Sequence, residues 1–128
     1  MKLSDKAIGL LEGKNFGFLA TLGKGGYPHV TPVWVDYSDG FILINSTKDR
    51  IKVKNAEVNP KVSLAVLDSQ NPYRYIMIQG KVKQITEKGA KEHIDRLAFK
   101  YTGVRKFQGG NGKRVIMKIE AERVIESL

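Results

Sequence analysis

Phe16-Gly17-Phe18-Leu19-Ala20-Thr21-Leu22, then Gly23-Lys24-Gly25-Gly26, then a run from His29 to Tyr37, then Ser38-Asp39-Gly40 and Phe41-Ile42-Leu43-Ile44 form the stretch that decides the fold. It consists of three largely apolar runs divided by two glycine-bearing turns. The first run is apolar on both faces, as a strand with a neighbour on either side requires. Three glycines in four residues supply the positive φ angles of a tight turn, and Ser38-Asp39-Gly40 makes a second one. Strands joined so closely must be antiparallel, because a parallel pair needs a crossover of about a dozen residues. The middle run opens beside Pro28 and carries Pro32. Proline cannot donate to a ladder, so the chain near Pro32 lies at an edge or a bulge, with backbone groups free for another partner.

Outward from this core, Leu3 to Glu12 reads as a short amphipathic helix with Ser4 as N-cap, Ala7, Ile8 and Leu11 on one face, and Gly13 after its end. In the other direction Asn45-Ser46-Thr47 reads as a turn after the Phe41–Ile44 strand, followed by a short basic helix through Arg50, Lys52 and Lys54 to Asn59-Pro60. Val62 to Leu67 is a strand, Asp68 to Arg74 a loop, and Tyr75 to Ile85 a long strand with a bend at Gly80. Thr86 can cap a main helix from Glu87 to Tyr101, whose buried stripe is Ala90, Ile94, Leu97, Ala98 and Tyr101, and Gly103 ends it. Phe107 to Gly112 is glycine-rich and expected to be mobile. Lys113 to Ala121 alternates and closes the sheet. About six strands with helices between them predict a mainly β, α+β chain: a small six-stranded antiparallel barrel with helical decoration, as one domain over residues 1–128.

Composition narrows the chemistry. The 22 basic residues outnumber the 13 acidic ones, giving a net charge of +9 that favours anionic partners. There are no cysteines, so disulfides and thiolate chemistry are excluded. Two histidines far apart, His29 and His93, disfavour a metal centre. Charges at Lys2, Asp5, Lys6 and Glu12 interrupt the uncharged core that a signal peptide needs, and no apolar run reaches membrane-spanning length. The expectation is a soluble, cytoplasmic protein without membrane contact.

The stretch from Asn45 to Asn55 is the candidate ligand site. A strand end feeding a helix N-terminus offers free N–H groups and the positive end of a dipole, which suits a phosphate. Ser46 and Thr47 add hydroxyls, and Arg50, Lys52 and Lys54 add charge. The competing reading is a solvated basic helix.

In their order along the chain, four segments resemble the split β-barrel flavoproteins of the pyridoxamine 5'-phosphate oxidase-like superfamily, above all its small single-domain branch that includes deazaflavin (F420)-dependent reductases. They are Gly17–Leu22 with its glycine turn, Pro28–Trp34, Arg50–Asn55 with Asn59–Leu64, and Ile78–Val82 before a helix ending near Tyr101-Thr102-Gly103. The resemblance implies an FMN-binding split barrel and a homodimer holding the cofactor at its interface. It implies that Arg50 and Lys52 grip the phosphate with Asn45, Ser46 and Thr47 nearby. The backbone of Thr31, Pro32, Val33 and Trp34 would border the ring, and Gln79 would contribute from the same or the other subunit. The implied activity is an oxidoreductase passing a hydride or electrons to a small organic substrate. FMN stands ahead because one phosphate matches one Arg-x-Lys, and F420, with its polyglutamate tail, is the alternative. The additional arginines that true pyridoxamine-phosphate oxidases carry for their substrate have no counterpart, so vitamin B6 synthesis is disfavoured.

Helix geometry limits this clamp. Residues two apart point about 200° apart, so Arg50 belongs in the turn leading into the helix and Lys52 in its first turn. Ile51, Asn55 and Val58 would then share the inward face, with Asn55 a structural hydrogen-bonder. Trp34 is read as core or as a cofactor contact, His29 as a strand-surface residue ahead of a proton shuttle near the ring, and His93 as an exposed helix residue. Tyr73, Arg74 and Tyr75 are read as bordering a substrate pocket or, ahead of that, as a dimer contact, and Lys113 and Arg114 as solvated or facing an acidic ligand tail. No catalytic side chain is identified. A flavin-binding electron carrier without a dedicated substrate is the second functional class. A nucleic-acid-binding barrel is disfavoured, since no aromatic-basic alternation runs along one strand.

Overall fold

A computed structural model describes residues 2–110 and 112–128. The elements in order are α1 (Asp5–Glu12), β1 (Phe16–Leu22), β2 (Pro28–Trp34), β3 (Asp36–Ser38), β4 (Phe41–Thr47), α2 (Ile51–Val58), β5 (Lys61–Asp68), β6 (Asn71–Thr86), α3 (Ala90–Thr102) and β7 (Arg114–Ser127). The strands form one antiparallel sheet in the order β2-β1-β5-β6-β7-β4-β3. Its two outermost strands are consecutive in the chain, with only Val35 between them, so the sheet curls until its ends meet.

Seven strands replace the expected six because the run from His29 to Tyr37 divides at Val35. Its first half pairs with β1 and its second half with β4. Pro32 therefore lies on an outermost strand, as its missing donor requires. Val35 is fully buried at the split, where a bare peptide group would be costly. The end of α3 satisfies it. The Val35 N–H donates to the Tyr101 hydroxyl at 3.0 Å, and its carbonyl accepts from Lys100 Nζ at 2.6 Å. The Tyr101 hydroxyl in turn donates to the Asn15 carbonyl at 2.5 Å. Burial, and then the nearby charge of Asp36, push the Tyr101 phenol up to about 12, against the hydrogen bond with Val35, which lowers it.

The barrel interior is filled by Leu19, Ile44, Leu64, Ile76, Ile78, Met117 and Ile119, closed at one end by Leu10 and Leu11 of α1. Full burial of each such side chain is worth roughly 1.5–3 kcal/mol. Ser4 caps α1 by accepting from the Ala7 N–H at 3.1 Å, and Gly103 ends α3 in the left-handed conformation. Gly80 sits at a register shift in β6, and a Cβ there would meet the Glu120 carbonyl oxygen, so the expected bend has a steric cause.

Other expectations are corrected. Asn45, Ser46 and Thr47 belong to β4, paired with Ile116, Val115 and Arg114, rather than to a turn. Most of the expected loop from Asp68 to Arg74 is strand, because Asn71 pairs back with Asp68 across a two-residue turn. The last strand runs on to Ser127, because β6 is long enough to pair with it that far. The main helix starts at Ala90, and the Thr86 hydroxyl instead accepts from Lys88 N–H in the turn before it. The inward face of α2 is Lys52, Val53 and Ala56, while Ile51 and Val58 are exposed. Asn55 is the structural hydrogen-bonder expected, donating to the Thr21 hydroxyl at 3.1 Å. Of the segment expected to be mobile, Asn111 lies outside the described residues. Among the described residues no helix is long and apolar enough to cross a membrane.

Candidate functional site

A cavity of about 480 Å³ opens beside the split, a size suited to a small ligand or cofactor. Four elements build it. The end of β2 contributes Pro32, Val33 and Trp34, the end of β4 contributes Asn45, Ser46 and Thr47, the start of α2 contributes Arg50 and Lys52, and the start of β7 contributes Arg114. Asp49, Phe16, Ile94, Phe107, Gly110 and Gly112 complete the lining. Antiparallel pairing explains the meeting of two distant segments: Thr47 at the end of β4 faces Arg114 at the start of β7.

One end of the cavity is cationic. Arg50 is the N-cap of α2 and makes no side-chain cap bond, so its guanidinium is not committed to the helix. Lys52 stands in the first turn with only 7% of its surface exposed. These are the positions that helix geometry required of an Arg-x-Lys clamp. Arg114 is half-buried across from them, its Nε donating to Asn45 Oδ1 at 3.0 Å and its guanidinium carbon 4.9 Å from the centre of the Phe107 ring. Among the described residues none of the three is within ion-pair distance of a carboxylate. The first N–H groups of α2 add the positive end of its dipole. Asp49 is at the rim, its carboxyl held below its ordinary range first by a hydrogen bond from Thr47 and then by its own amide.

The crowding of like charge is felt by the groups themselves. Burial, then Arg50 and Arg114, hold Lys52 below its ordinary value of 10.5. Burial and Arg50 lower Arg114 in the same way. A bound anion reverses the repulsion and favours the charged lysine. Binding of inorganic phosphate is therefore expected to take up protons in alkaline solution, between the free-state and the bound-state pKa of Lys52, and to weaken as pH rises through the free-state one. Calorimetry in buffers of different ionisation enthalpy reads that uptake. A heat independent of the buffer would remove Lys52 from the site.

The other end of the cavity is aromatic. Trp34 stacks on Tyr101 with centroids 5.2 Å apart and planes 4° apart, and the edge of Phe107 meets it at 6.0 Å. Trp34 is thus neither plain core nor free surface, but a wall supported from behind by α3.

Eight of the sequence-predicted site residues line this cavity: Pro32, Val33, Trp34, Asn45, Ser46, Thr47, Arg50 and Lys52. Thr31 does not. It pairs with Leu19 on the inward face of β2, as His29 pairs with Thr21, and the buried Thr31 Oγ1 and His29 Nδ1 have no partner among the described residues. His29 is accordingly an inward-facing residue rather than a surface one. Gln79 is also absent from the cavity, standing exposed on the outer face of β6 opposite Ser63 and Arg123. His93, expected to be exposed, is completely buried, its ring between Asp36 and Asn45. It stands three residues after Ala90 on the buried stripe of α3, a helical spacing that the polar residue type concealed. Phe16, Asp49, Ile94 and Phe107 escaped the sequence reading because nothing local marks them.

The family described as Pyridoxamine 5'-phosphate oxidase matches residues 3–127. An F420 reductase structure is 26% identical, with a TM-score of 0.85 over 96% of this chain and 98% of that one. A conserved hypothetical protein of Mycobacterium tuberculosis is 25% identical, with a TM-score of 0.74 over 97% of this chain and 84% of its own. HupZ of Group A Streptococcus, at 22% identity and a TM-score of 0.72 over 98% and 94% of the two chains, shares the fold. A search of curated proteins finds no match.

Proposed function

The chain belongs to the pyridoxamine 5'-phosphate oxidase family, and from that premise we propose that it binds FMN by its phosphate and serves as an oxidoreductase on a small organic substrate. The observation that carries this reading is the cavity with Arg50, Lys52 and Arg114 at one end, unpaired among the described residues, and an aromatic wall at the other. A phosphate with a planar ring system has that division of character. Arg50 and Lys52 would hold the phosphate at the N-terminus of α2, with the hydroxyls of Ser46 and Thr47 beside it. Trp34, Val33 and Pro32 would border the ring, and Phe16 and Ile94 would exclude water from it. When bound, the flavin carries the hydride or electrons, so the protein needs to supply only binding, orientation and electrostatics. That division of labour accords with the lack of an evident catalytic side chain.

F420 is the second reading, favoured by the likeness to an F420 reductase over nearly the whole of both chains. Titrating the purified protein with FMN and with F420 separates the two, and Trp34, the single tryptophan, provides the signal by quenching of its fluorescence. Reduced nicotinamide or reduced F420 with candidate acceptors then tests turnover against electron carriage. A protein that binds neither cofactor would sink the reading.

We propose further that the working unit is a homodimer. Pro32, Phe18, Ala65, Met77 and Ile125 lie in one row across five strands on the outer face of the sheet, with Phe18 and Ile125 each 42% exposed. Phe16, on the same face, is also part of the cavity wall, so a second copy seated there would complete the site. Gln79 stands on this face and would serve the partner's cofactor, and Tyr75 would join the contact. Phe18→Lys is expected to convert a dimer to a monomer in sedimentation, weakening association at least about a hundredfold by burying a charge without a partner. An unaltered protein that sediments as a monomer at micromolar concentration would overturn the proposal.

A further inference from the structure

Arg114 is held by a directed chain of hydrogen bonds that begins at the split of the barrel. Asn45 Nδ2 lies 2.8 Å from the Ala90 carbonyl oxygen and 3.1 Å from His93 Nδ1. A backbone carbonyl only accepts, so the nitrogen end of the amide must face it, leaving the second amide hydrogen for the ring. His93 Nδ1 is therefore the unprotonated nitrogen, and the ring proton is on Nε2. That proton is donated to Asp36 Oδ2 at 3.0 Å, while Asp36 Oδ1 accepts the Tyr37 N–H at 2.8 Å. The oxygen end of Asn45 points the other way and accepts from Arg114 Nε at 3.0 Å. Reversing the amide would set oxygen against the Ala90 carbonyl and hydrogen against hydrogen at Arg114, so the chain has one polarity.

Arg114 needs such a tether. Arg50 and Lys52 lie close enough to repel it, and a long unpaired cation would otherwise swing into solvent. Asn45 fixes one edge of the guanidinium and Phe107 covers one face, leaving the terminal nitrogens without a partner among the described residues. His93 is completely buried, so water cannot substitute for its ring.

We propose that His93 and Asp36 are a positioning pair for Arg114, fixing the amide of Asn45 and, through it, the direction of the guanidinium in the anion-binding cavity. Asn45 is then a link in this chain, and Arg114 is a third ligand of the cofactor phosphate beside Arg50 and Lys52. The second statement rests on the cofactor reading above. The first does not, because it concerns the protein alone.

The test uses the full chain labelled with nitrogen-15. The Arg114 Nε–H resonance, identified by its loss in Arg114→Lys, is expected to exchange slowly with water. His93→Phe, which keeps the ring volume and removes both nitrogens, is expected to speed that exchange by about tenfold or more, the loss of a typical buried hydrogen bond. His93→Asn places an acceptor near the Nδ1 position and is expected to restore part of the protection. Asp36→Leu, which removes the acceptor of His93 Nε2–H without touching Arg114, serves as a second break in the chain if the phenylalanine variant does not fold. Unchanged Arg114 exchange in whichever variant folds would overturn the positioning role. FMN titration completes a double-mutant cycle: His93→Phe should weaken binding by about tenfold, and in an Arg114→Ala background it should add nothing. Equal losses with and without Arg114 would mean that His93 acts through general packing, and would overturn the proposal. If the unaltered protein binds neither FMN nor F420, the cofactor reading and the ligand role of Arg114 fall, and the exchange measurement still decides the positioning pair.

Discussion

Replacement of Arg50 and Lys52 together by alanine is expected to weaken FMN binding by roughly a hundredfold to ten-thousandfold, since each charge-assisted hydrogen bond contributes about 1.5–3 kcal/mol. Folding should survive the change. Lys52 is a buried cation without an ionic partner among the described residues, next to two other cations, so removing it relieves repulsion rather than breaking a bond. Arg50 makes no side-chain cap bond to α2, so its loss does not uncap the helix. The thermal midpoint should stay within a few degrees of the unaltered protein or rise. Lys54 provides the control. It is on the same helix but exposed, and its replacement removes one positive charge without touching the cavity. An exposed charge outside the cavity lining is weakened by solvent and salt, so Lys54→Ala should change affinity by less than about threefold. If Lys54→Ala cost as much as the double substitution, net charge and not a built site would be responsible, and the phosphate clamp would be abandoned.

Loss of a single oxygen at Tyr101 should have the largest effect on stability. In Tyr101→Phe the ring remains against Trp34, so packing is conserved. What disappears is the hydroxyl that accepts from Val35 N–H and donates to the Asn15 carbonyl, both in the buried region where the sheet ends meet. Leaving a buried donor or acceptor unsatisfied costs about 1–3 kcal/mol, so two orphans predict a loss of about 2–5 kcal/mol. For a domain of this size that is a fall in Tm of roughly 10 °C or more. Chemical denaturation should show the same loss with an unchanged slope, because the surface exposed on unfolding is the same. A loss under about 0.5 kcal/mol would mean that the split is held by packing alone.

Both outcomes bear on how much of the protein could be read from residue order. The hairpin that starts the sheet was legible because its signals are local: glycines 23, 25 and 26 in one turn, apolar residues filling Phe16–Leu22, and a proline that bars Pro32 from a central ladder. Arg50 and Lys52 were legible for the same reason, since a helix start and the angle between two of its side chains are properties of a few adjacent residues. The strand content of Asn45–Thr47 was not. Their small polar side chains favour a turn locally, and only the facing start of β7 holds them extended. His93 misled through its chemistry: a polar residue in a helix defaults to the surface unless partners for both ring nitrogens are known, and those come from β3 and β4.

By itself, then, the sequence determined the antiparallel hairpin plan, the edge position of the proline-bearing strand, the family and the two cations at the start of α2. These follow from local propensity, turn chemistry and motif order. Tertiary structure alone decided that the middle strand breaks at Val35 to close the barrel, that Arg114 joins the cavity, and that a buried histidine aligns it. Each of these depends on contacts between residues far apart in the chain, as with Asn45 and Arg114, separated by 69 positions. No local pattern encodes which distant partner will satisfy a buried polar group. That choice is made only when the sheet pairs and its ends are brought together.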